Sequence, residues 1–422
     1  GKPWPVAISP AGIALDDKQH MLYTVTTEDS ALYAIDLTGQ HPPRKFALGA
    51  EGYTCLLAPD VGTLYASCCG CDRLALFETK RQAITGSIPV GDNPNELCMD
   101  RRGKRLFVAN ANDNSVSVID LEQRRVIETL NAALYPDAPE GSTTNSVALS
   151  ADDKTLYIAN ADNNCLAVFD VGTPGSSRSL GFIPTGWYPT CVRTVGDRIL
   201  VTNGKGFRSM ANPNGPQPAK KEEHVGHAEG VRAKEKVQYI GGLFRGTLSI
   251  IPAPDAAHLA VYAQAVYHNT PYTKAGEDVS DGAANNPIPR TVGDASPIRH
   301  VFYIIKENRT YDQVLGDMSA GNGDTSLVLF GARITPNQHA LAKQFVLLDN
   351  LYCNGEVSED GHQWCNAAFC TDWTEKTYPG NYAGPSRGDP PGDDGVTASP
   401  GGYLWDNCAR HGLTYRTYGE FA

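Results

Sequence analysis

Along the first 250 residues, apolar runs and polar turns alternate in a fixed register. Leu22-Tyr23, Leu64-Tyr65, Leu106-Phe107 and Leu156-Tyr157 open apolar runs at spacings of 42, 42 and 50 residues. The acidic residues that close the following runs, Asp36, Glu78, Asp120 and Asp170, repeat the same three intervals. Two register marks that move together define a true repeat, with about eight residues inserted before the fourth copy. LFVANANDNSVSVID and LYIANADNNCLAVFD each read as strand, Asn/Asp-rich turn, strand. A β pattern with a period of ~40–45 residues is the signature of a propeller blade. Residues 199–203 open a fifth copy that is completed only at 246–251. Between them lies a polar insertion over 204–237, rich in Pro, Gly and Lys, whose composition cannot offset its own ordering entropy. Residues 1–253 are therefore expected to form a β-propeller with five visible blades, the first already under way by Pro5-Val6-Ala7-Ile8.

The pattern then changes. Residues 254–295 read as a linker with a short helix, and 296–422 as a second domain. An apolar run at 301–305 stops at Lys306-Glu307-Asn308-Arg309, as a buried parallel strand does. Thr335 and Pro336 can cap and open a helix over 337–344, and 345–349 is a second apolar run. Strand, helix, strand predicts a βαβ unit, whose ligands collect beyond the carboxyl ends of the strands. Glu307 and Asn308 offer oxygen ligands to a divalent cation there, and Arg309 could pair with a phosphate. Farther on, Ser358, followed by Glu359 and Asp360, has the look of a helix N-cap, beside amides that favour a phosphate. A metal on Glu307 and Asn308 would lower the pKa of that hydroxyl and make it a nucleophile. A serine in this place also serves as a plain cap, and from spacing alone both readings stay open.

These residues carry a resemblance. IRHVFYIIKENRTYDQVLGD resembles the opening motif of the phosphoesterase family of bacterial phospholipases C and acid phosphatases, within the alkaline phosphatase superfamily. The resemblance implies that Glu307, Asn308 and Ser358 bind a divalent metal (Zn, Mn, Mg or Ca) and that Ser358 is the nucleophile. It matches Ser358 and His362 to the ends of a Ser-x-x-Asn-His type motif, in which Gly361 stands where Asn is usual. With EVSEDGHQW and YGEFA as further landmarks, the chain is similar to a branch in which this domain follows a YVTN-repeat (YncE-like) propeller. What this implies is a multidomain protein: an all-β propeller of seven blades when complete, then a partial α/β alkaline-phosphatase-like domain whose remaining ligands lie on another chain or segment. The function it implies is hydrolysis of a phosphate ester, with the propeller as binding platform. The alternative is a non-catalytic extracellular propeller that binds a partner and carries a truncated phosphoesterase region.

Composition narrows the remaining classes. A net charge of −11 argues against a general nucleic-acid binder. No run of 18 apolar residues is present, so no transmembrane segment is expected. Eleven cysteines point to an oxidising compartment, periplasmic or extracellular. Cys68-Cys69-Gly70-Cys71 could bind zinc, but cross-turn or cross-blade disulfides suit it better, and Cys353, Cys365 and Cys370 are expected to staple the loop around Ser358.

Overall fold

In the computed structural model the described residues are 9–207, 244–270, 279, 282–283, 285–382 and 394–420. Five antiparallel sheets follow one another: residues 10–47, 52–89, 94–131 and 144–184 form four-stranded blades, and 189–252 a three-stranded fifth. The register expected from sequence holds. Met21 pairs with Asp36, Thr63 with Glu78, Arg105 with Asp120 and Thr155 with Asp170, so each acidic mark ends the third strand of its blade. Pro5 to Ile8 and most of the 204–237 insertion lie outside the described residues.

The middle strands are buried on both faces, because blades pack face to face and neither side meets water. Between blades one and two, Tyr23, Leu32 and Ala34 meet Leu64, Ala66 and Phe77. Between two and three, Tyr65, Leu74 and Leu76 meet Leu106, Val108 and Ile119. Between four and five, Tyr157 and Leu166 meet Val192 and Val201, joined by Leu259 of helix α1 (Ala256–His268). Two inner strands approach closely at Gly12, where an added Cβ would stand 2.4 Å from Thr54 Cα and 2.8 Å from Cys55 N. Those are backbone atoms and cannot swing aside. Gly12→Ala is therefore expected to cost about 1–3 kcal/mol; a urea midpoint unchanged from wild type would refute that packing.

Contacts divide the chain into two compact units, and residues 353–420 group with the blades. Helices α4 (Ser358–Ala367), α5 (Asp372–Tyr382), α6 (Asp394–Thr397) and α7 (Leu404–Arg410) belong to that unit. The other unit, whose described residues include 285–352, holds two helices, α2 (Tyr311–Leu315) and α3 (Pro336–Gln344), and a 3-10 turn (Thr325–Leu327). Its buried His339 bridges Asp317 (2.7 Å) and the Thr335 carbonyl (2.8 Å).

Here the βαβ expectation is corrected. Helix α3 forms with Pro336 in its first turn, but Thr335 donates its hydroxyl to the Phe330 carbonyl at 2.6 Å and does not cap it. The runs 301–305 and 345–348 are not strands. A strand exists only where a second strand pairs with it, and among the described residues neither run is paired in a sheet. Their apolar side chains face solvent, with Phe302 88% and Phe345 72% exposed. What the structure holds is a propeller-like N-terminal part and a smaller helical C-terminal region, and among the described residues the expected alkaline-phosphatase-like sheet is not formed. The cysteine expectation is corrected as well: none of the eleven is in a disulfide, Cys353, Cys365 and Cys370 included. No helix among the described residues is long and apolar enough to cross a membrane.

Candidate functional site

The inner strand of every blade carries an irregularity near its start, at Pro10/Ile13, Gly52/Cys55, Pro94/Leu97, Thr144/Ser146 and Pro189/Cys191. A bulge of this kind re-aims the side chains it carries and commonly stands beside a site. Here the bulged residues line a cavity of about 320 Å³ among the inner strands: Tyr53, Glu96, Asn145 and Thr190 from the blades, with Asp372 and Lys376 from helix α5. The Asn/Asp-rich turns of blades three and four face the same helix. Asn112 Oδ1 accepts from the Asp372 amide at 3.2 Å, and Asp162 hydrogen-bonds Glu375.

Helix α5 thus docks through charged groups. Asp372 accepts from Asn95 Nδ2 at 2.9 Å and pairs with Lys376 at 2.7 Å. The Lys376 ammonium also donates to the Tyr53 hydroxyl at 2.8 Å and to Asn145 Oδ1 at 2.7 Å, so its three protons are all engaged. Burial is the largest single influence and opposes its charge, but the charges and hydrogen bonds of Asp372 and Tyr53 together outweigh it and hold the pKa above the usual value. Burial raises the Tyr53 pKa, which keeps that hydroxyl a neutral donor next to a cation. Its present acceptor, Asn145 Oδ1, is 3.3 Å away, a weak bond that a ligand oxygen could replace. Glu96, which lines the same cavity, is bound by Ser146 Oγ, by the Val147 amide at 3.3 Å and by the Arg193 guanidinium.

A second charged group lies at the same helix. Lys205 meets Glu356 at 3.0 Å and Glu375 at 3.6 Å, and Tyr188 donates to Glu375 at 2.9 Å. Asp162 accepts from Thr143 Oγ1 at 2.5 Å. Three carboxylates around one lysine cannot all ionise cheaply out of water. Burial pushes Asp162 up to about 6, and burial with the Asp162 charge holds Glu375 well above the carboxylate range.

The residues singled out in the sequence are placed as follows. Glu307 and Asn308 are exposed, and Asn308 Nδ2 donates to Glu307 Oε1 at 3.0 Å. Arg309 lies over the Phe330 ring, 4.9 Å from its centroid. Ser358 is the first residue of α4, not its cap. Asp360, two residues farther on, accepts from the Val357 and Glu356 amides at 2.9 Å each and does the capping. His362 Nδ1 contacts Glu420 Oε1 at 2.5 Å, an oxygen that also takes the Asn366 amide at 2.6 Å. Glu307 and Asn308 belong to one compact unit, Ser358 and His362 to the other. Among the described residues no three His, Cys, Asp or Glu side chains converge on a point that could hold a metal ion.

The axial residues were missed, although a signal for them exists. Ala11, Tyr53, Asn95 and Asn145 stand at intervals of 42, 42 and 50, the same register as the strand marks. In α5, Asp372 and Lys376 have the i, i+4 spacing of an ion pair on one helix face.

Comparison with known proteins bears on this geometry. Residues 55–203, 149 of the 422, match a family model described as lactonase, 7-bladed beta-propeller. No curated protein sequence matches the chain. Among solved structures, the hydrazine synthase of Kuenenia stuttgartiensis is similar at 19% identity and a TM-score of 0.40, over 60% of this chain and 67% of that one. A candidate 6-phosphogluconolactonase from Bacteroides uniformis is similar at 17% identity and a TM-score of 0.40, over 45% of this chain and 62% of that one. Another, from Bacteroides fragilis, stands at 20% identity and a TM-score of 0.39, over 45% and 61%. The chain thus spans about six-tenths of the length of the two Bacteroides structures.

The family match corrects the functional expectation. The matched family is one of lactonase propellers, not of serine-nucleophile, metal-dependent phosphoester hydrolases, and nothing shows a fused phosphoesterase domain or YVTN repeats. The alternative of a non-catalytic binding propeller gains no support from it either.

Proposed function

We propose that the protein is a lactone hydrolase whose reaction takes place in the axial cavity. The family match over residues 55–203 supports the reaction class. The observation that carries the reading is the Tyr53 hydroxyl, lining the cavity with a buried ammonium behind it at 2.8 Å. Opening a cyclic ester needs a donor for the oxyanion that develops on the carbonyl oxygen, and a base that takes a proton from water. Tyr53 is suited to the first task. Its raised pKa keeps the proton on the oxygen, and Lys376 polarises the bond. The Glu96 carboxylate of the same cavity is suited to the second, with Arg193 and Ser146 fixing its orientation. The volume is at the lower end of the range for small-molecule sites, which suits a compact ring such as a sugar lactone.

The test is a pH-stat assay of the purified chain against γ- and δ-lactones, aliphatic and sugar-derived, with and without a phosphate. Turnover above the buffer rate is expected, and Tyr53→Phe should lower kcat by about 10²–10³-fold through loss of one oxyanion donor. Glu96→Gln should lower it while leaving the cavity intact. Failure of the wild-type chain to accelerate any of these esters at any pH near neutrality would end the reading.

A further inference from the structure

The second turn of blade two carries Cys68-Cys69-Gly70-Cys71, and the fold brings two of its three sulfurs together. Cys68 ends the strand Thr63–Cys68 and pairs with Arg73 across the hairpin, so the residues between them must reverse the chain. Gly70 (φ 66°) and Asp72 (φ 49°) take the left-handed positions this requires. Cys71 is thereby folded back over Cys68. Its Sγ is 3.6 Å from the Cys68 carbonyl oxygen, and the two thiols are hydrogen-bonded to each other. Cys69 turns the other way and is buried against Trp373 and Val396, with its Sγ 3.6 Å from the Pro94 carbonyl. Residues three apart on a tight turn lie less than ~7 Å apart at Cα, which overlaps the ~4.4–6.8 Å separation that a disulfide needs.

We propose that Cys68 and Cys71 are a dithiol–disulfide redox pair that exchanges with a low-molecular-weight disulfide. The two thiols are unequal in the way such exchange requires. Cys71 is only half-buried, and the hydrogen bond from Cys68, aided by the Arg73 guanidinium, holds its pKa below the ordinary thiol value. Cys68 is fully buried, and the Cys71 sulfur together with burial keeps its proton on. Cys71 is thus the attacking sulfur and Cys68 the resolving one. The Cys71 thiolate forms a bond to one sulfur of the small disulfide, whose S–S bond breaks and releases a thiolate. Cys68 gives its proton to that thiolate and attacks Cys71 Sγ. The second small thiolate leaves and takes up from solvent the proton Cys71 had released. Two protein thiols lose two electrons in all, and one small disulfide becomes two thiols. Three other thiols of the blades do not compete: burial pushes Cys55 and Cys165 to about 12 and the partly buried Cys98 to about 11.

The test uses the full chain in glutathione buffers ranging from reduced to oxidised, quenched in acid, alkylated with N-ethylmaleimide and mapped by peptide mass. Cys68 and Cys71 are expected to lose alkylation together, with one midpoint, as a bridged peptide appears. Cys68→Ser should trap glutathione on Cys71, and Cys71→Ser should leave Cys68 fully alkylatable after denaturation at every ratio. The wild-type map needs no variant to fold. Cys71 alkylated at every ratio, Cys71 carrying glutathione stably in the wild type, or Cys71 bridged to any cysteine other than Cys68 would each overturn the proposal.

Discussion

Lys376→Met is expected to destabilise the docked helix α5 by about 3–5 kcal/mol, because it leaves a buried carboxylate without its cation. Methionine matches lysine in length and helix propensity, so the change removes charge with little change of shape. The Asp372 side chain is 2% exposed and Lys376 25% exposed, so the carboxylate has no route to water in the docked state. Tyr53 and Asn145 lose a donor in the same step. The partial exposure of Lys376 places the expected loss toward the lower end of that range. The blades keep their own cores, so the effect should be read at the helix, by hydrogen exchange of the α5 amides, together with the urea midpoint. Adding Asp372→Asn should recover much of the loss, since the orphaned charge is then gone. A single variant within about 1 kcal/mol of wild type by both measurements would show that the pair is a surface-like contact.

The contrast between this helix and the blades explains what the sequence could tell. Blade register was legible because it is local: Thr63 meets Glu78 within one hairpin, and the hairpin recurs every 42 residues until the insertion before blade four. Tyr53 and Lys376 are 323 residues apart, and Asn95 and Asp372 are 277 apart. No periodicity links such positions. Half of that site did carry a mark, since Tyr53, Asn95 and Asn145 recur in the blade register. It passed unread because polar residues at a strand start look like turn residues. The apolar runs at 301–305 and 345–348 were read correctly as apolar, but a strand is a property of a pair, and the partner cannot be inferred from one run. The shift at Ser358 has a smaller cause: Asp360, with its side chain on two backbone amides, outcompetes a serine hydroxyl for the same end of the helix. The long motif around Glu307 led to phosphoester chemistry, whereas the matched family lies over the blades, whose repeat says nothing of chemistry until the bulges are seen.

Stability should fall as pH rises from about 4 to 7, opposite in sign to a fold held by salt-bridged carboxylates. The groups responsible surround helix α5. Asp162 rises from 3.8 to about 6 through burial, and Glu375 and Glu356 are raised by burial as well. Facing them are the Lys205 ammonium, the Tyr188 hydroxyl and the Thr143 hydroxyl. One positive charge for three carboxyl groups leaves the folded state holding protons that the unfolded chain has already released. Where the folded state binds more protons, the slope of unfolding free energy with pH is negative. The contribution is complete below the unfolded carboxylate values and is lost as pH rises through about 6. For Asp162 alone, a rise of roughly two units corresponds to at most about 3 kcal/mol. Asp92, pushed up to about 6 by burial and by the Asp72 charge, acts in the same direction and window. Carboxylates with lowered values, such as Asp29 and Asp36, contribute with the opposite sign, but only below about pH 4, outside the window. Melting temperature measured across this range at constant ionic strength should therefore decline steadily in the wild type. Asp162→Asn keeps an oxygen to accept from Thr143 and removes the titration, so its decline should be visibly shallower. A wild-type curve that is flat or rises through pH 6, or an Asp162→Asn curve that overlays it, would mean that these carboxyl groups do not share protons as the geometry requires.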